Sequence, residues 1–98
     1  MPEARLRAYM IDVCAHLGLR AYAEPMIYAP ADGMGKDENA GYDAFMSLID
    51  SGISAYIWKN RAFFSILLYT CKDFDETAAV AFTRKAMECD GEIETAAF

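Results

Sequence analysis

Two nucleophilic side chains of this sequence could do chemistry at one place: Ser51 and Cys71. Ser51 stands in Leu48-Ile-Asp-Ser-Gly-Ile-Ser-Ala-Tyr-Ile-Trp58, and Cys71 in Leu68-Tyr-Thr-Cys-Lys-Asp-Phe-Asp75. The first run reads as a strand into Asp50, a break at Ser51-Gly52 and a strand from Ile53 to Trp58. A tight turn at Lys59-Asn60-Arg61 and a return strand from Ala62 to Thr70 complete a hairpin. Antiparallel pairing about Arg61 sets Ser51 opposite Cys71 on one face, roughly 5 Å apart at Cα. Both side chains are nucleophilic and a hydroxyl beside a thiol is a chemical pairing, so this juxtaposition is the first place to look for function.

The remaining elements must hold that hairpin. Pro2 at a first helical position and Glu3 open a helix whose apolar stripe is Leu6, Met10, Val13 and Leu17, closed by Gly18 at C′. Arg20 to Tyr28 alternates as a strand, with Pro25 favouring an edge or a bulge. Ala29 to Ala40 is aperiodic and carries two glycines, so it is a connector or a binding loop. Its Gly33 and Gly35 lack the context of a phosphate loop. Gly41 to Asp50 forms the next strand. Lys72 to Glu76 opens a second helix, in which Asp73 and Glu76 have capping-box spacing and Phe74, Ala78, Ala81 and Phe82 face inward. Asp90-Gly91 turns the chain, and Glu92 to Phe98 alternates as a last strand. The order α-β-β-β-β-α-β implies an α+β two-layer sandwich: a mainly antiparallel sheet with both helices on one face.

Ninety-eight residues make a single domain, residues 1–98. A formal charge of −6, with nine scattered Lys and Arg, argues against nucleic acid and anionic membranes as partners. No apolar run approaches a bilayer span and no leader pattern is visible, so a cytoplasmic chain with reduced thiols is expected. Cys14, Cys71 and Cys89 have no metal-ligand spacing, and His16 is the only histidine, so no metal site is expected. Cys14 and Cys89 read as packing residues. The return strand is apolar on both sides (Phe63, Phe64, Ile66, Leu67, Leu68, Tyr69). With helices on one face only, the other face is expected to be covered by a second copy of the chain.

The run from Asp50 to Trp58, with Thr70-Cys71 downstream, resembles the bacterial and archaeal S-adenosylmethionine decarboxylases. Their pattern is Glu-Ser-His-Ile-Ser-Ile-His-Thr-Trp-Pro-Glu, then Thr-Cys before the second helix, with the same interval between serine and cysteine. The resemblance implies that Ser51 attacks the carbonyl before it, that the chain is cut there, and that residue 51 becomes a pyruvoyl group. That group is an electron sink for decarboxylation of a small substrate amine, S-adenosylmethionine or a related amino acid, in polyamine synthesis. It further implies that Cys71 reprotonates the substrate and that Trp58 borders its pocket. Other matched positions carry different residues. Tyr56 replaces a processing histidine, Asp43 a serine linked to processing, and Asp50 the glutamate before the cut. Lys59-Asn60 replaces Pro-Glu, whose carboxylate suits ribose hydroxyls. Asp43 or Asp50 is then the candidate base, with Tyr56 a hydrogen-bond partner. Ser54 and Asn60 are candidate substrate contacts beside Trp58. Two other readings stand beside this one: an uncleaved, non-enzymatic relative binding a nucleoside or a partner subunit, and a non-pyruvoyl enzyme acting on S-adenosylmethionine through Tyr56 and a carboxylate.

Overall fold

The computed structural model describes residues 2–29 and 40–97. The order is α1 (Glu3–His16), β1 (Met26–Tyr28), β2 (Gly41–Leu48), β3 (Ser51–Trp58), β4 (Phe63–Thr70) and α2 (Glu76–Ala86). The strands form one antiparallel sheet in the order β1-β2-β3-β4. It is an α+β sandwich, as the alternation of the sequence requires. Most of the segment expected as a loop, residues 30–39, lies outside the described residues.

Helix α1 begins after Pro2, which is the N-cap rather than the first helical residue, with an extended ψ of 151°. It ends before Gly18, whose φ of 75° suits a residue without Cβ. Leu6, Tyr9, Met10, Val13 and Cys14 pack on the inward face of the sheet, against Tyr42, Ala44, Met46 and Leu48 of β2 and Ile53 and Ala55 of β3. Leu6, Met10 and Ala55 are wholly excluded from solvent. Burial of each larger aliphatic chain is worth about 2 kcal/mol, so α1 and the two central strands make most of the core.

Helix α2 is capped by Asp75, whose Oδ1 accepts from Ala78 N at 3.0 Å, and not by Asp73. The cap must immediately precede the first helical residue, and Asp73 lies two positions too early. Its inward stripe also differs from the sequence expectation: Ala81 is exposed, while Thr83 is buried beside the half-buried Phe82. Thr83 Oγ1 bonds Tyr9 OH at 2.8 Å, and Arg5 of α1 donates to Ala86 O at 2.7 Å, closing the C-terminal end of α2.

Three further expectations are corrected. The strand over 20–28 is reduced to Met26–Tyr28 and an isolated bridge between Ala21 and Leu48. Residues 22–25 bend out of the ladder, with Tyr22 N still donating to Ser47 O at 3.0 Å, and Pro25 has no amide proton to continue it. Residues 92–97 form no strand, so the order ends at α2; Arg84 instead donates to the carbonyls of Cys89 and Gly91 and holds the chain there. The break in the central hairpin falls at Ile49-Asp50 and not at Ser51-Gly52, so β3 starts at Ser51 itself.

Candidate active site

The β3–β4 register decides what faces what. Trp58 pairs with Phe63 and Ser51 with Thr70, so four residues, Lys59 to Ala62, make the loop. Pairing centred on Arg61 would have set Ser51 against Cys71, but the observed ladder centres half a residue earlier, between Asn60 and Arg61. The fourth loop residue is Ala62, which takes a left-handed conformation (φ 48°) after the 3₁₀ turn Lys59–Arg61. Cys71 therefore lies one residue beyond Ser51's partner, past the end of β4 and exposed. The two remain at the same end of the sheet, but they are not a cross-strand pair.

Ser51 is instead hydrogen-bonded to Thr70. Its hydroxyl donates to Thr70 Oγ1 at 3.0 Å, and Lys72 N donates to the same oxygen at 3.1 Å. Asp50, immediately before Ser51, is left-handed at φ 54°, a conformation that costs a non-glycine residue of order 1 kcal/mol. The peptide bond that the sequence nominates for cutting thus joins a strained turn residue to the first residue of a strand.

Around Ser51 the sheet has a shallow, mainly apolar cavity of about 290 Å³, lined by Phe45, Ser51, Gly52, Ser54, Leu67 and Tyr69. It opens on the face that no helix covers. Ser54 lines the same cavity as Ser51. Gly52 allows the cavity its shape: a Cβ there would meet the Phe45 ring at 3.0 Å.

The other sequence candidates form a second group, away from the first. Asp43 and Tyr56 are direct cross-strand partners on the uncovered face, so the two exchanged processing positions are neighbours. Tyr56, Trp58 and Phe63 make an aromatic run, with ring centroids 6.4 and 5.4 Å apart. Asn60 sits in the loop beyond them, and Lys59 Nζ lies 4.7 Å above the Tyr42 ring. Tyr56 is five residues from Ser51 along one strand, about 17 Å at ~3.3 Å per residue, and an odd step places it on the opposite face. Within one chain, then, Asp50, Ser51 and Cys71 share one end, Asp43, Tyr56, Trp58 and Asn60 the other, and Ser54 lies between them on the uncovered face.

Thr70 is the site residue that sequence reasoning missed. The signal was present in the Thr-Cys dipeptide but was hidden by centring the hairpin on Arg61. No cluster of metal-ligating side chains occurs among the described residues, and no helix there is long and apolar enough to cross a membrane.

Comparison with known proteins identifies a family for the chain. The family described as S-adenosylmethionine decarboxylase matches residues 2–96, nearly the whole chain. No curated protein and no solved structure gives a significant match. With that match spanning both helices and all four strands, the chain belongs to the S-adenosylmethionine decarboxylase family.

Proposed function

We propose that this protein is a pyruvoyl-dependent decarboxylase of polyamine synthesis, cytoplasmic, acting on S-adenosylmethionine or a related amino acid. The observation that carries this reading is Ser51, the first residue of a strand, following a left-handed Asp50 and lining an open cavity. Residue 51 fits a pyruvoyl group there, with space on one side and a fixed strand on the other. When formed, the group withdraws electrons from the substrate as carbon dioxide leaves.

Making it needs only the chain and water. Ser51 Oγ bonds to the Asp50 carbonyl carbon, the Asp50–Ser51 C–N bond breaks, and the hydroxyl proton passes to the freed nitrogen. Elimination then releases residues 1–50 with a C-terminal carboxylate, and water displaces ammonia from residue 51. Strain at Asp50 favours departure from the starting peptide. In turnover, Cys71 is the thiol that returns a proton to the substrate carbon, and Ser54 contacts substrate in the cavity.

Asp43, Tyr56, Trp58 and Asn60 are too far along the sheet to act on Ser51 of the same chain. They contact substrate across a homodimer in which two uncovered faces pack about a two-fold axis, since the Ser51 hydroxyl lies on the other, helix-covered side of the sheet and out of their reach. That packing sets one end of each sheet over the opposite end of the other. The seven large apolar side chains on that face support it: Met26, Tyr28, Phe45, Tyr56, Phe63, Leu67 and Tyr69 are each at least 37% exposed.

A second reading is favoured by one observation. The Ser51 hydroxyl donates to Thr70, a neutral hydroxyl, and not to a carboxylate or imidazole. A chain without a base at Ser51 stays whole and binds a nucleoside or partner subunit in the same cavity. Incubation with carboxyl-labelled S-adenosylmethionine, ornithine or arginine separates the two. Release of labelled carbon dioxide by the native chain and none by Ser51→Ala supports the enzyme. Saturable binding of any of the three without release supports the uncleaved binder.

A further inference from the structure

Among the described residues, Thr70 is the polar side chain in hydrogen-bond contact with the Ser51 hydroxyl, and the residue-by-residue resemblance gives it no task. Its position is fixed twice over. It is Ser51's direct partner in the ladder, and its oxygen accepts from both Ser51 Oγ at 3.0 Å and Lys72 N at 3.1 Å. A hydroxyl oxygen has two lone pairs, and both are now in use. The backbone bond from Lys72 prevents the Thr70 side chain from turning away, so the acceptor for the serine proton stays in one place.

We infer that Thr70 is a positioning residue for self-cleavage, holding the Ser51 hydroxyl proton away from the Asp50 carbonyl and leaving an Oγ lone pair for attack. The inference rests on the self-cleavage reading above. The step it assists is the first one. Ser51 Oγ bonds to the Asp50 carbonyl carbon, the C–N bond opens, and the proton resting against Thr70 ends on the Ser51 nitrogen. Thr70 returns unchanged, so no co-reactant is needed. A nucleophile released from such a constraint samples other rotamers, and misplacement by ~1 Å costs up to about 100-fold in rate.

The test follows fragment appearance by intact mass in freshly made Thr70→Val, Thr70→Ser and native chains, with circular dichroism to establish folding. Valine keeps the branched shape without the hydroxyl, and serine keeps the hydroxyl without the methyl. The expected result is cleavage at least about tenfold slower in Thr70→Val and near-native in Thr70→Ser. The reverse pattern, normal with valine and impaired with serine, assigns Thr70 to packing and overturns the inference while leaving self-cleavage standing. Equal rates in all three do the same. A native chain that never cleaves overturns both. Should Thr70→Val not fold, Thr70→Ala carries the same expectation and the same refutation.

Discussion

Leu67→Asp should convert a dimer into a monomer without unfolding it. Leu67 is 53% exposed in the single chain and lines the cavity beside Ser54, so a carboxylate there costs the isolated fold little. The seven apolar side chains of the uncovered face are each about half exposed. Covering the remainder is worth about 1 kcal/mol per side chain, hence roughly 14 kcal/mol across two copies. An association cost of roughly 6 kcal/mol leaves about 8 kcal/mol, a dissociation constant of order 1 μM. Placing a carboxylate in each copy against the other's apolar face removes several kcal/mol, more than a 100-fold loss of affinity. Light scattering at about ten times that concentration should give twice the 10.9 kDa chain mass for the native protein and the single mass for Leu67→Asp. A native chain that scatters as a monomer there, or a Leu67→Asp variant that remains dimeric, refutes the face-to-face reasoning.

Alkaline pH should destabilise the fold through two buried groups. Burial pushes the Tyr9 phenol from 10.0 up to about 12, against the opposing hydrogen bond to Thr83 and with a further push from Cys14. Burial also pushes the Cys14 thiol from 9.0 up to about 11. Both folded values are raised, so their stability is complete below the unfolded values. It is lost as pH climbs from about 9 to about 12, by about 3 kcal/mol for each group. Urea midpoints across that range should fall, and Tyr9→Phe should fall less above pH 10; parallel curves would contradict this. Gly41→Ala should cost more than about 2 kcal/mol, because its Cβ would sit 1.7 Å from the Ile57 carbonyl oxygen; an unchanged melting temperature would count against the β2–β3 register. Cys71→Ala should leave fragment formation intact and lower carbon dioxide release by at least about tenfold; unaltered turnover would remove its role as proton donor.

The parts of the fold that were legible are those fixed by local chemistry. Pro2 and Gly18 bracket α1, and alternation in Gly41–Leu48 and Ser51–Trp58 marks which side of each strand is buried. The register at Ser51 was not legible, because it turns on Ala62 adopting a left-handed conformation that favours glycine or asparagine. A ladder centred half a residue before Arg61 moved the partner of Ser51 from Cys71 to Thr70. The strand expected over 92–98 shows the opposite failure: alternation was present, but Arg84 ties the chain preceding it to the end of α2. The separation of the candidate residues into two groups was likewise hidden, since their closeness in sequence says nothing about which end of an eight-residue strand each occupies.

Intact mass of the purified protein is the most direct test of the claim that Ser51 is converted to a pyruvoyl group. The account predicts two species, residues 1–50 ending in a free Asp50 carboxylate and residues 51–98 blocked at the N-terminus, both absent from Ser51→Ala. A single uncleaved 10.9 kDa species after prolonged incubation would contradict it.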